Sequence, residues 1–280
     1  MGRPGPDDLR AEVESLRSEV DRLRQQLARL APLTVLLHRR GFRVYKKEGD
    51  DDLLLPDAPL RDSYYEMLHR YSFRLFLRDA IKHQERFSIE MLTRYATART
   101  VRAYSDHLVR AGLVEAVAGG YRLIRQPVLS FGPTLEWYVA ELLKREFGAE
   151  VLRGVKFRRP RVGGDYDVLA RLDGALLYIE VKSSPPKQIY DSEVAAFLDR
   201  VEDLAPEVAV FLMDTELRMK DKIVPMFEKE LTRRSDSPPP VLRLERELFQ
   251  LQDRIFIVNA KESLAGNLAR VVSRYFRSNT

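Results

Sequence analysis

The residues best suited to chemistry lie in one stretch, GGDYDVLARLDGALLYIEVKS, residues 163–183. Asp173-Gly174 is a favoured pair for a two-residue hairpin turn, in which both central positions take positive φ. With that turn, Leu172 faces Ala175, and the register carries Asp167 opposite Glu180 and Asp165 opposite Lys182. Side chains alternate along a strand, so these four share one face. The other face would hold Tyr166, Val168, Ala170, Leu172, Ala175, Leu177, Ile179 and Val181, an apolar surface for a core. Leu169, Leu176 and Tyr178 lie on the acidic face nearer the turn, so that face must also be covered, with the carboxylates at its open end.

Carboxylates directly opposite on adjacent strands, with Cβ atoms about 5 Å apart, repel. One must be protonated, or a nearby cation must balance the pair, or a divalent metal must bridge it. Oxygen donors at this spacing suit Mg²⁺, which keeps several waters and takes one or two protein carboxylates. The ammonium of Lys182 would orient or acidify a water there and steady the charge on a phosphate under attack. Other chemistries are excluded. The chain has no cysteine, so it has no thiolate nucleophile and no Cys-based zinc site. Its four histidines, at 38, 69, 83 and 107, all precede this stretch. No Gly-rich loop followed by Lys-Ser/Thr is present to cradle a nucleotide.

An Asp, a hairpin and then Glu-x-Lys on an apolar strand resemble the PD-(D/E)xK nuclease superfamily, carried here by Asp167 in YDV and by Glu180 and Lys182 in IEVKS. That family also places a Glu on the helix before the sheet, and LEWYV supplies Glu136. The likeness covers about 134–214 and is similar to the archaeal Holliday-junction-resolvase and Mrr-type branches, which recognise branched or modified DNA. The resemblance implies a restriction-endonuclease-like α/β domain, with a mixed sheet flanked by helices. It also implies Mg²⁺, or Mn²⁺, held by Asp167, Glu180 and the carbonyl of Val181. Lys182 would activate or position water, and Glu136 would be an outer or second-metal ligand. Tyr166 stands where the family name has Pro. Asp165 is a second candidate for the Asp role, or a plain cross-strand ion pair with Lys182. Gln188 lies near the lysine without forming a further motif.

The chain of 280 residues has room for two modest domains. Leu9, Val13, Leu16, Val20, Leu23, Leu27 and Leu30 recur at alternating steps of four and three, an a/d seam that makes 1–31 a coiled-coil helix. A surface helix packed on its own domain is the alternative, and the seam makes a homodimer the expectation. Pro32 would end it, and 32–60 would be a linker or two short strands.

Residues 61–126 follow the order of a winged helix-turn-helix and resemble that family. One helix would span Tyr64 to Lys82, a second would start after Ser88 with Tyr95 on its core side, and a third would open at Thr97 or Ala98. A hairpin with a Gly119-Gly120 turn would close the segment. The third helix would enter a major groove with Arg99, Thr100, Arg102, Ser105 and Arg110 outward. Gln126 to Pro133 would be a linker, and 134–280 would alternate helix and strand as the nuclease-like domain. Lys156, Arg158, Arg159 and Arg161 would form a phosphate-contacting rim beside the carboxylates. Lys220, Lys222, Arg233 and Arg234 would extend it.

A net charge of +5 fits a polyanionic partner without demanding one. With no apolar run long enough to span a bilayer and no signal peptide in MGRPGPDDLR, the expectation is a cytoplasmic protein with no membrane partner. The expected function is a metal-dependent endonuclease acting on DNA. The alternatives are a non-catalytic DNA-binding regulator with a nuclease-like scaffold, and an RNA-directed or defence nuclease.

Overall fold

The computed structural model describes residues 12, 13, 15, 16, 19, 31–47, 53–125, 127–158 and 161–278. The chain forms two compact units, 1–43 and 44–280. In the first, residues 12, 13, 15, 16 and 19 are helical, with Val13 and Leu16 exposed. The other heptad positions, Leu9, Val20, Leu23, Leu27 and Leu30, lie outside the described residues. Pro32 precedes a further helix, α1 (Leu33–Arg39), where strands or a linker were expected. Proline lacks an N–H and has a preset φ, so it starts a helix as readily as it ends one. Gly41, at φ 91°, closes the turn after it.

The second unit begins with the short strand β1 (Val44–Lys46). A helical segment follows: α2 (Arg61–Leu68) and α3 (Tyr71–Lys82) in place of the single expected helix. The break at His69-Arg70 has a visible cause. Arg74 Nη1 reaches back to the carbonyls of Leu68 at 2.6 Å and His69 at 3.3 Å, supplying donors that the end of α2 lacks. The expected second helix is only a 3₁₀ turn, Glu90–Leu92, which leaves Tyr95 exposed instead of in the core. Thr97 caps α4 (Ala98–Arg110) by accepting the Thr100 N–H at 3.2 Å. Val101, Tyr104 and Leu108 form the buried stripe of α4. The hairpin of β2 (Val114–Val117) and β3 (Gly120–Leu123) follows, and Phe87 bridges to Tyr121 on its outer side.

The rest of the unit is an α/β structure around a large mixed sheet flanked by helices. It starts at α5 (Gly132–Phe147), so the supposed linker is short, and its Val128 and Phe131 are buried. The strands are β4 (Glu150–Phe157), β5 (Tyr166–Leu172), β6 (Ala175–Lys182), β7 (Val208–Met213), β8 (Val241–Glu245), β9 (Leu248–Leu251) and β10 (Ile255–Asn259). Their order is β1-β4-β5-β6-β7-β10-β9-β8. β6, β7 and β10 run parallel at the centre, and the outer pairs are antiparallel. The hairpin β8–β9 was not foreseen. The remaining helices are α6 (Asp191–Leu204), α7 (Ile223–Arg234) and α8 (Leu264–Ser278).

One face of the sheet carries Val168, Ala170, Leu177, Ile179, Val210 and Val258 in a continuous core with α2–α5 and α8. The other face is covered by α6 and α7. There an aromatic chain runs Phe157–Tyr166–Tyr178–Phe197–Phe211–Phe227, with successive ring centroids 4.9–5.6 Å apart. Tyr166 therefore lies on the α6 side and not beside Val168 as strict alternation required. The neighbouring strand explains it: Gly154, across from Asp167, takes φ 53° and breaks the regular pleat. No helix among the described residues is long and apolar enough to cross a membrane.

Candidate active site

The hairpin that carries the site turns through Asp173 and Gly174, both at positive φ (47° and 85°), with Leu172 opposite Ala175. The ladder runs to Val168 opposite Ile179 and then opens. Beyond that point the Asp167 side chain takes over from the backbone: its Oδ2 accepts the Val181 N–H at 2.7 Å. An opened strand end and a side chain that replaces the ladder bring Asp167, Glu180, Val181 and Lys182 together.

Glu180 is buried, at 3 % exposure, and both of its oxygens are engaged. Lys182 Nζ donates to Oε1 at 2.9 Å. Arg200 Nη1 from α6 donates to Oε2 at 3.0 Å, and the Tyr178 hydroxyl donates to the same oxygen in a short hydrogen bond. Arg200 also packs on the loop before β5, where a Cβ on Gly164 would stand 2.5 Å from its Nη2. Lys182 is held a second time by Glu193 Oε1 at 3.1 Å. Glu193 is anchored in turn, because its Oε2 accepts the Tyr190 N–H at the start of α6 at 3.0 Å.

The electrostatics separate the two carboxylates. Glu180 has two cations and a hydroxyl as partners. Asp167 is pushed well above the usual carboxylate range, first by burial, then by the negative charges of Glu180 and Glu136, against a smaller opposing pull from the Val181 N–H and Lys182. Glu136, on the first turns of α5, is thus an electrostatic neighbour of Asp167. Burial works against the charge on Lys182, but Glu180 and Glu193 outweigh it and raise its pKa, so it is an ammonium at neutral pH.

The donor set is made of carboxylate and carbonyl oxygens, which fit a hard divalent cation, and the charge crowding at Asp167 is what such an ion relieves. No cluster of three or more His, Asp or Glu side chains able to hold an ion occurs among the described residues. A cation here would depend on Asp167, Glu180, the Val181 carbonyl and its own waters.

Asp165 is not opposite Lys182. It pairs with Lys156 on β4 at 2.9 Å, because β5 has two neighbours and the β4 register sets Asp165 across from Lys156. Lys156 is thereby drawn into an ion pair, Arg161 pairs with Asp203 at 3.3 Å, Arg158 is exposed, and Arg159 lies outside the described residues. Of the residues that would extend that rim, Lys220 is exposed and the other three are held by protein partners. Lys222 donates to the carbonyls of Lys187 and Ile189, Arg233 binds Glu230, and Arg234 binds Glu230, Asp199 and Glu202. On α4, Arg99, Arg102 and Arg110 are exposed and Thr100 is half-buried. Ser105 is fully buried and donates to the Val101 carbonyl at 3.0 Å, so it does not face outward.

The residues not foreseen are Arg200, Tyr178, Glu193 and a buried clamp at Asp214. A signal existed for Arg200: with Phe197, Val201 and Leu204 it occupies the i, i+3, i+4, i+7 stripe of α6, a core position for a charged residue. Asp214 is wholly buried at the end of β7, held by Arg74 at 2.8 Å and Arg78 at 2.6 Å. Its N–H donates to the Lys182 carbonyl at 2.9 Å.

No protein-family model and no curated protein matches the chain. Two solved structures are similar in architecture. Can2 from Sulfobacillus thermosulfidooxidans, in complex with cyclic tetra-adenylate, shares 14% identity over 87% of this chain at a TM-score of 0.49. Protein VC1899 from Vibrio cholerae shares 16% identity over 85% of this chain at a TM-score of 0.45. This chain spans 60% of the length of each of them. Both TM-scores lie below the level that establishes a shared fold.

Proposed function

We propose that the chain is a metal-dependent endonuclease that hydrolyses phosphodiester bonds in DNA. The observation that carries this reading is the convergence of Asp167, Glu180 and Lys182 at the opened end of β5 and β6, with Glu136 as a further charge near Asp167. Asp167, Glu180 and the Val181 carbonyl would hold Mg²⁺ or Mn²⁺. When bound, the ion supplies a Lewis acid that neutralises charge on the phosphate. Lys182 is raised in pKa and fixed by two carboxylates, so it serves as a positioned donor to water or phosphate and not as a base. Arg200 and Tyr178 hold Glu180 in one orientation.

The segment 61–126 is assigned in this reading to DNA binding as a winged helix. Support comes from the order of its elements and from Arg99, Arg102 and Arg110, exposed on a helix whose opposite stripe is buried. The heptad pattern of 1–31 is the basis for a homodimer.

A second reading is favoured by one observation: every oxygen of Glu180 already has a protein partner. On that reading the sheet is a scaffold, and the protein is a non-catalytic DNA-binding regulator. Incubation with labelled duplex, single-stranded and branched DNA, and with RNA, in Mg²⁺ or Mn²⁺ against EDTA, separates the two. Metal-dependent cleavage of DNA is expected. Cleavage of RNA alone would move the substrate to RNA, and tight binding without cleavage in either metal would establish the regulator.

A further inference from the structure

The two oxygens of Glu180 are held in different ways. Oε2 receives both Arg200 Nη1 and the Tyr178 hydroxyl, and Tyr178 is wholly buried. Oε1 receives Lys182 Nζ at 2.9 Å. Freeing Oε2 would strip a buried carboxylate of two donors at once, a costly change. Freeing Oε1 needs only one half-buried ammonium to let go.

That ammonium has a second acid within reach. Glu193 divides its oxygens between two tasks. Its Oε2 accepts the Tyr190 N–H at 3.0 Å and closes the capping box at the start of α6. Its Oε1 lies 3.1 Å from Lys182 Nζ. Val194 and Phe197 are fully buried and fix this first part of α6, and the Asp214 N–H holds the Lys182 carbonyl at 2.9 Å on β6. The pairing of Lys182 with Glu193 therefore does not depend on Glu180. A divalent cation that draws on Oε1 competes with Lys182 for that oxygen and repels its charge. With Glu193 in place the ammonium keeps a counter-ion when it leaves Oε1. Without Glu193 it would be left half-buried and unpaired, so it would hold Glu180 more tightly.

We infer that Glu193 is a positioning residue that takes over Lys182 and so frees Oε1 of Glu180 for a divalent cation. The inference rests on the metal site of the proposed function, and it explains how a carboxylate with partners on both oxygens can still serve as a ligand. The experiment titrates the full chain with Mn²⁺ in the absence of nucleic acid and counts free ion by electron paramagnetic resonance. The parent is compared with Glu193→Gln, Lys182→Met and the double variant. Glutamine keeps the side-chain length and an oxygen for the Tyr190 N–H, so the cap of α6 is retained.

Glu193→Gln is expected to weaken Mn²⁺ binding about tenfold in the parent, the scale of losing a partner that orients a metal site. In the Lys182→Met background, where no ammonium needs an acid, the same change should cost about threefold or less. Charge effects that act independently would add, giving equal factors in the two backgrounds. Saturable binding by the parent that Glu193→Gln leaves unchanged, or weakens equally in both backgrounds, would overturn this inference and leave the metal site standing. No saturable binding by the parent would overturn both.

Discussion

At Asp167, burial and the charges of Glu180 and Glu136 work against ionisation, and one backbone N–H and Lys182 work for it. The folded pKa is raised above the unfolded value of about 3.9, so the folded state binds more protons than the unfolded one between the two. Stability is therefore full below the ordinary carboxylate range and is lost as pH rises from there towards the raised value. Without metal, Asp167→Asn is expected to be more stable than the parent at pH 7, by about 2–4 °C in Tm for each kcal/mol relieved, with the gap closing near pH 4. Added Mg²⁺ should lift the Tm of the parent and not of the variant. A variant that melts at or below the parent at pH 7 would contradict this account of Asp167. Arg200→Ala should cost about 3 kcal/mol by leaving buried Glu180 short of a partner, and a Glu180→Gln background should remove much of that cost. Equal losses in both backgrounds, measured by denaturant unfolding, would show that Arg200 does not act through Glu180.

Between elements, the strongest tie to the site is Asp214, which joins α3 to the end of β7 through Arg74 and Arg78 and hydrogen-bonds the Lys182 carbonyl. Arg74 and Asp214 are almost wholly buried, so Asp214→Ala leaves two guanidinium groups without their acid and is expected to cost about 3–5 kcal/mol in chemical denaturation. A loss under about 1 kcal/mol would mean that water replaces the carboxylate. The hairpin of β5 and β6 could be read from the sequence because Asp-Gly sets its turn and alternation sets its faces. The limits of that reading had physical causes. Hairpin arithmetic considers one neighbour, whereas β5 also pairs with β4, and that second register takes Asp165 to Lys156. The hairpin β8–β9 was hidden because β8 is an edge strand, with Leu242 and Arg243 exposed, and so lacks a continuous apolar signal. The break between α2 and α3 depends on the reach of one arginine, which no local propensity encodes.

Across the whole molecule, the charge of +5 is not spread evenly. Many of its basic residues are tied into ion pairs, whereas α4 presents exposed arginines. Reversing Arg99 and Arg102 to Glu should weaken DNA binding by about tenfold or more and flatten its salt dependence, with thermal stability unchanged. Filter binding across a salt series measures this, and an unchanged slope would remove α4 from the interface. The central claim is tested most directly by one comparison: Mg²⁺-dependent cleavage of labelled DNA by the parent protein and by Lys182→Ala, with binding of both measured in EDTA. The account predicts that binding is retained and cleavage falls by about a hundredfold or more, the loss of one positioned donor at the phosphate. Cleavage that survives in Lys182→Ala, or a parent protein that binds DNA and never cuts it, would contradict it.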